Sequence, residues 1–221
     1  MNVKNWTNNY LKERSNFLNK RDRNRSLNKF PIQPSGLFKQ LRKVLPKNSA
    51  ITLDAGTLCL QATDALEYYN PPSLFTPLDF GLVGFSFACG LGVKVACPDK
   101  TVVSLMGDGG FGMTISELST AVQYGINTIT IVMNNNSWGA EKAYQKDFFG
   151  KRYIGADISS PPFDKVAQLY GAIGFQVNKV SEVNEALKAA LKCNKAAVIN
   201  VNVDPKALYS FRRDSFKHRA K

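Results

Sequence analysis

The chain has 221 residues, 44% of them hydrophobic and 21% charged, which leaves room for one substantial core and excludes disorder throughout its length. No run approaches the ~18 consecutive apolar residues of a membrane-crossing helix, and the opening MNVKNWTNNY has no apolar stretch of secretory type, so the expected compartment is the cytoplasm, with no membrane partner. The net charge is +12, yet twelve Lys and Arg against Glu13 and Asp22 place +10 of it within Met1–Ala50, so the remainder is nearly neutral.

Residues 1–34 read as a basic linker or extension, with a partner-docking segment and a nucleic-acid arm as alternatives. Trp6, Tyr10, Phe17 and Phe30 do not fall in a recognition pattern, so nucleic acid is not an expected partner. From about Ser35 apolar runs alternate with amphipathic stretches. Leu37, Phe38, Leu41, Val44 and Leu45 are spaced as a helix over Gly36–Leu45, closed by Pro46. A short strand, Ala50–Leu53, ends at Asp54-Ala55-Gly56-Thr57. A mixed segment and a small-residue stretch, Phe80–Ala96, follow, and then a strand over Thr101–Met106. Thr114 and Glu117 fit a capping box for a helix over Thr114–Tyr124, and Gly125 sits where that helix would stop. A strand over Thr128–Met133, a helix over Phe163–Tyr170, the short Phe175–Val177, a helix over Glu182–Leu191 and a last run, Ala197–Val203, complete the series.

Strands alternating with helices imply right-handed crossovers, hence a three-layer α/β/α domain with a mainly parallel sheet over residues 35–205 and a C-terminal tail over 206–221. The strands VVSLM and ITIVM are apolar throughout, as strands covered on both faces should be. The single histidine, His218, argues against Ser-His-Asp, Cys-His and His-rich zinc chemistry. Cys59, Cys89, Cys97 and Cys193 lack metal-ligand spacing and are too sparse for a disulfide framework, so reduced thiols are expected.

The informative segment follows the strand ending at Met106. Gly107-Asp108-Gly109-Gly110 lets backbone N–H groups approach an anion closely, and the next strand runs into Asn134-Asn135-Asn136. Parallel strands put Asp108 and Asn135 on the same sheet edge, where open α/β sheets bind ligands. A carboxylate, an amide oxygen and backbone carbonyls form a hard oxygen set suited to Mg²⁺, so glycine amides plus a metal point to a diphosphate. No G-x-x-x-x-G-K-[ST] is present, and the acidic residue of a dinucleotide site is missing.

The segment resembles the diphosphate-binding domain of thiamine-diphosphate enzymes in the acetolactate-synthase-like branch, whose signature is Gly-Asp-Gly, a helix and a strand, then Asn-Asn. The resemblance implies thiamine diphosphate and Mg²⁺ as cofactors, with Asp108, the side chain of Asn135 and the carbonyl of Ser137 as metal ligands. It places Gly107, Gly109, Gly110 and Gly139 along the diphosphate, joined by Gly56 and Thr57, whose hydroxyl alternatively just finishes a turn. Gly81 would offer a carbonyl to the aminopyrimidine and Val83 would prop the bent cofactor; a core position is the alternative for Val83. Trp138–Lys142, Gln145, Asp147, Phe148 and Phe211–Asp214 are similar to sulfoacetaldehyde acetyltransferases, which pass an acetyl group to phosphate and release sulfite. That likeness assigns Trp138, Arg212 and Arg213 to the substrate, against plain packing for Trp138 and a solvated tail for the arginines. An acetolactate synthase-like or sulfopyruvate decarboxylase-like subunit and a non-catalytic cofactor-binding module are the alternatives. In this family the activating glutamate comes from a pyrimidine-binding domain of a neighbouring chain, for which 221 residues leave no space. The expectation is therefore a fragment or a separately encoded subunit of a homo- or hetero-oligomer, needing that domain as partner for a small-molecule substrate. No catalytic residue is expected in the chain itself, Glu117 being accounted for by its capping box.

Overall fold

The computed structural model describes residues 3–22, 30–77 and 80–208. In chain order the elements are α1 (Val3–Asp22), α2 (Pro34–Val44), β1 (Ala50–Leu53), α3 (Thr57–Ala65), β2 (Leu74–Phe75), α4 (Phe85–Ala96), β3 (Val102–Gly107), α5 (Asp108–Thr114), α6 (Glu117–Gln123), β4 (Ile129–Asn134), α7 (Gly139–Phe148), α8 (Phe163–Leu169), β5 (Ile173–Val177), α9 (Val180–Lys192) and β6 (Ala197–Asn202). The strands make one parallel sheet in the order β2-β1-β3-β4-β6-β5. Its register sets Leu53 beside Leu105 and Gly107 beside Met133. No helix among the described residues is long and apolar enough to cross a membrane.

Alternation along the strands sends side chains to two cores. Leu53, Leu105, Ile131, Met133 and Ile199 pack with α2, α3 and α9, while Met106, Val132 and Val198 pack with α4, α5, α6 and α8. This is the expected three-layer architecture, with β1, β3 and β4 buried almost throughout. The folded body also takes in residues before Ser35. Ile32 is fully buried, donates its N–H to Asn202 O and accepts from Asp204 N–H, so the chain enters the sheet layer before α2 begins. Helix α1 keeps its described side chains on the surface.

Three local expectations are corrected. The helix after Gly107 starts at Asp108, not at Thr114. Glycines are poor helix formers, but Phe111 is fully buried edge-on between Phe87 and Phe163, and that burial outweighs propensity. Thr114 therefore ends α5, its hydroxyl donating back to Gly110 O at 3.4 Å, and the capping box does not form. Glu117 instead accepts the Thr120 hydroxyl at 3.0 Å. Gly125, with φ of 60°, does stand just past α6. Finally, α3 is a helix where the sequence offered only a mixed segment, and α7 is a helix where no element was expected.

Candidate functional site

Strand β1 feeds α3 on one face of the sheet, and its neighbour β3 feeds α5 on the other. The chain leaves adjacent strands in opposite directions, which opens a crevice beyond their carboxyl ends. A cleft of about 380 Å³ lies there. Helices α3, α5 and α7 all begin on its walls, with Gly56, Gly107 and Trp138 as their N-caps, and none of the three is closed by a side-chain hydrogen bond. The positive ends of three helix dipoles converge on one space, a geometry that suits an anion. The neighbouring α4 is treated differently. Buried Asp54 accepts the N–H groups of Gly84 and Ser86 at 3.0 and 3.1 Å and closes that N-terminus. Burial raises the Asp54 pKa, opposed by these backbone donors.

The glycines are dictated by close neighbours. A Cβ on Gly110 would lie 2.1 Å from Asp54 Oδ2, one on Gly109 would lie 2.5 Å from the Trp138 ring, and one on Gly139 would lie 2.7 Å from Thr57 Oγ1. Gly56 and Gly81 have open space instead, but φ of 121° and 68°. Thr57 is buried in the first turn of α3 with its hydroxyl against Gly139, and it lines the cleft. Val83 is 37% exposed and lines the cleft, which excludes the core position. Trp138 likewise does two things, packing on Gly109 and walling the cleft. Arg212 and Arg213 lie outside the described residues.

Asp108 is 1% exposed at the start of α5. Its Oδ2 accepts the Ser160 hydroxyl at 2.6 Å, while Oδ1 is buried without a hydrogen-bond partner. Burial raises the Asp108 pKa, countered by Ser160 and nearby backbone N–H groups. Asn135 Oδ1 accepts the Ser137 N–H at 3.2 Å, and Ser137 Oγ is buried without a partner. An orphaned buried carboxylate oxygen is costly unless a cation meets it, and this oxygen set, with a single carboxylate, fits Mg²⁺. The uncapped helix starts and glycine walls fit a diphosphate. Two site residues were missed. Asp54 was within reach, as the acid ending a strand two positions before Gly56; Ser160 lies 52 residues beyond Asp108 in an irregular segment and carries no local signal.

Residues 54–201, from Asp54 at the end of β1 to Val201 in β6, match the family described as "Thiamine pyrophosphate enzyme, C-terminal TPP binding domain". The chain belongs to this family. Over 188 residues it is 32% identical to the sulfoacetaldehyde acetyltransferase of Castellaniella defragrans, covering 83% of this chain and 31% of that protein. It is also 32% identical over 186 residues to a probable acetolactate synthase large subunit of Methanococcus aeolicus, covering 81% of this chain and 31% of the relative. Among solved structures, the thiamine diphosphate-dependent 4-hydroxybenzoylformate decarboxylase of Rhodococcus jostii RHA1 superposes with a TM-score of 0.74 at 25% identity, over 81% of this chain and 33% of that one. The chain thus spans about a third of the length of these relatives. As a C-terminal thiamine pyrophosphate-binding domain, it carries the sheet edge on which Asp108 and Asn135 line one cleft.

Proposed function

We propose that this chain is the diphosphate-side half of an enzyme that cleaves or forms C–C bonds of small 2-oxo acids or aldehydes. The observation that carries the reading is one cleft where three uncapped helix N-termini surround the unpartnered Oδ1 of Asp108. Asp108, the Asn135 side chain and the Ser137 carbonyl would hold Mg²⁺, with Gly107 and the first-turn amides at Gly56, Thr57, Gly109, Gly110 and Gly139 taking the diphosphate. The Gly81 carbonyl and the Val83 side chain would orient the aminopyrimidine. Thiamine diphosphate, when bound, supplies a nucleophilic carbon that adds to carbonyls and stores the resulting carbanion. The protein groups here anchor, orient and keep water from the charged end.

Acetyl transfer from sulfoacetaldehyde to phosphate, with release of sulfite, is the favoured reaction. Relatives named as acetolactate synthases at the same 32% identity support acetolactate formation as the second reading. The described cleft lining offers the carboxylates of Asp108 and Glu141 and neither Lys nor Arg. A sulfonate would therefore be met by Arg212 and Arg213 or by a partner, guanidinium forks being suited to such oxyanions. A pyrimidine-binding domain, from the same polypeptide or another chain, would bring the activating glutamate, making the working unit a homo- or hetero-oligomer. A reducing compartment, the cytoplasm, suits four free thiols.

The test is co-expression with a pyrimidine-binding domain encoded beside or upstream of this chain, followed by assays of thiamine diphosphate and Mg²⁺ retention and of acetyl phosphate release from sulfoacetaldehyde. Retention with release is expected. Retention without acetyl phosphate, but with acetolactate formed when pyruvate is supplied, would favour the second reading, and loss of retention with the partner present would overturn both.

A further inference from the structure

We propose that Ser160 is a positioning residue for the metal, a hydroxyl that fixes the Asp108 carboxylate so that its other oxygen faces the ion. The inference rests on the reading of Asp108 as a metal ligand. A carboxylate turns about one bond, so holding one oxygen sets the place of the other. Ser160 Oγ donates to Oδ2 at 2.6 Å, the short distance of a charge-assisted bond, and Oδ1 is left buried and unpartnered beside Asn135 and Ser137.

The hydroxyl is delivered by a strap built for that placement. Residues 154–160 cross the ligand loop almost residue by residue. Trp138 N–H donates to Ala156 O at 2.8 Å, Ile158 N–H to Asn136 O at 3.1 Å, and Ser160 N–H to Asn136 Oδ1 at 3.3 Å. Asn136, the residue between the two ligands, is held at φ of 52°, where an L side chain is uncommon. Both ends of the strap are fixed. The Gln145 side chain bonds the N–H and the carbonyl of Ile154 at 2.8 and 2.9 Å, and Lys142 pairs with Asp157. Beyond Ser160, Pro161 and Pro162 lead to Phe163, which is buried against Phe111 of the same helix that begins with Asp108. One strap therefore touches the carboxylate ligand directly and the amide-and-carbonyl ligand loop through Asn136. It sets the two halves of the metal site against each other.

The test is titration of the full 221-residue chain with Mn²⁺ in the presence of thiamine diphosphate, read by electron paramagnetic resonance, with Mg²⁺ and Ca²⁺ as competitors. Ser160→Ala should weaken Mn²⁺ binding about 10-fold or more, and Ser160→Thr, which keeps the hydroxyl, should stay within about threefold of the parent. The preference for Mg²⁺ over Ca²⁺ should fall in Ser160→Ala, because a carboxylate free to turn serves the looser coordination of the larger ion. Apo-protein melting should be alike in all three. Unchanged Mn²⁺ affinity in Ser160→Ala, with binding lost in Asp108→Asn, would overturn the positioning role and leave the ligand reading standing. Equal weakening in Ser160→Ala and Ser160→Thr, accompanied by a lower apo melting temperature, would also overturn it, showing a packing role. Unchanged affinity in Asp108→Asn would remove the reading beneath and the inference with it.

Discussion

A carboxylate withheld from water is stable only if something answers its charge, and Asp108 is answered by Ser160 and nearby backbone N–H groups while its Oδ1 has no hydrogen-bond partner. Burial holds its pKa above the ordinary value of 3.8, so the fold disfavours the ionised form. The sign follows from linkage: a carboxyl raised in the folded state favours folding below its unfolded pKa, and that contribution is lost as the pH rises through the folded value. Asp108→Asn removes the ionisation. The variant without cofactor should therefore gain on the parent as the pH is raised from about 4 to 7, reaching roughly 0.5–2 kcal/mol, the usual scale when a functional site is relieved of strain. Thermal melts across that range check it. Added Mg²⁺ with thiamine diphosphate should reverse the order, stabilising the parent and leaving the variant unmoved. A variant that melts below the parent at neutral pH would show that the ionised carboxylate is already fully satisfied by the protein.

Helix α4 meets the sheet through small polar residues as well as through the buried Phe87 and Leu91. Thr52, Ser86 and Ser104 share buried hydrogen bonds of 2.8 to 3.1 Å, and a Cβ on Gly90 would come within 2.3 Å of Ser104 Oγ. Close approach at this point sets the height of α4 and of the segment before it that carries Gly81 and Val83. Gly90→Ala should cost about 1–3 kcal/mol by overpacking, and Ser104→Ala in the same chain should recover part of it. Urea midpoints of the single and double variants measure both, and a double variant weaker than Gly90→Ala alone would mean that the Ser104 hydrogen bonds matter more than the clash. The elements legible in the sequence are those whose pattern is set by burial. β3 and β4 are mainly apolar because both faces are covered, and α2 and α9 carry clear apolar stripes. Helix α7 was not legible because only Ala143 is buried in it; Gln145 and Lys142 fix it through partners at Ile154 and Asp157, which no local periodicity reports. Helix α3 begins at a glycine without a side-chain cap, so the start signal was missing for the same reason that its N–H groups are free for a ligand. The early start of α5 was hidden by its glycines, which Asp54 and Trp138 require. In the candidate site, Asp108 and Asn135 were legible because each ends an apolar strand. Ser160 was not, because its contact is made by tertiary folding alone.

At the scale of the whole molecule, the cleft opens onto an apolar rim. Phe80 is 88% exposed and Leu82 50%, and from Leu82 and Val83 an apolar groove of about 630 Å³ runs along α4 past Phe85, Ala88 and Val93. Contiguous apolar surface of this kind marks a contact with another protein surface, and here it adjoins the place where an aminopyrimidine would emerge. On the proposed reading, the occupant of the rim is the pyrimidine-binding domain. If so, anchoring the diphosphate alone leaves the other end of thiamine diphosphate in water, and this chain on its own should bind the cofactor far more weakly than when paired with that domain. Leu82→Asp separates this from a fault in the fold. Half-exposed and outside both cores, Leu82 should tolerate the change within about 0.5 kcal/mol of stability, while a charge set into an apolar contact should weaken association by 10-fold or more. Sedimentation velocity of the mixed chains and calorimetric titration with thiamine diphosphate read the two effects together. Normal melting with lost association and a cofactor affinity reduced to that of the free chain would locate the partner on this rim. Undiminished association would place it on another face, with the cleft then completed from elsewhere.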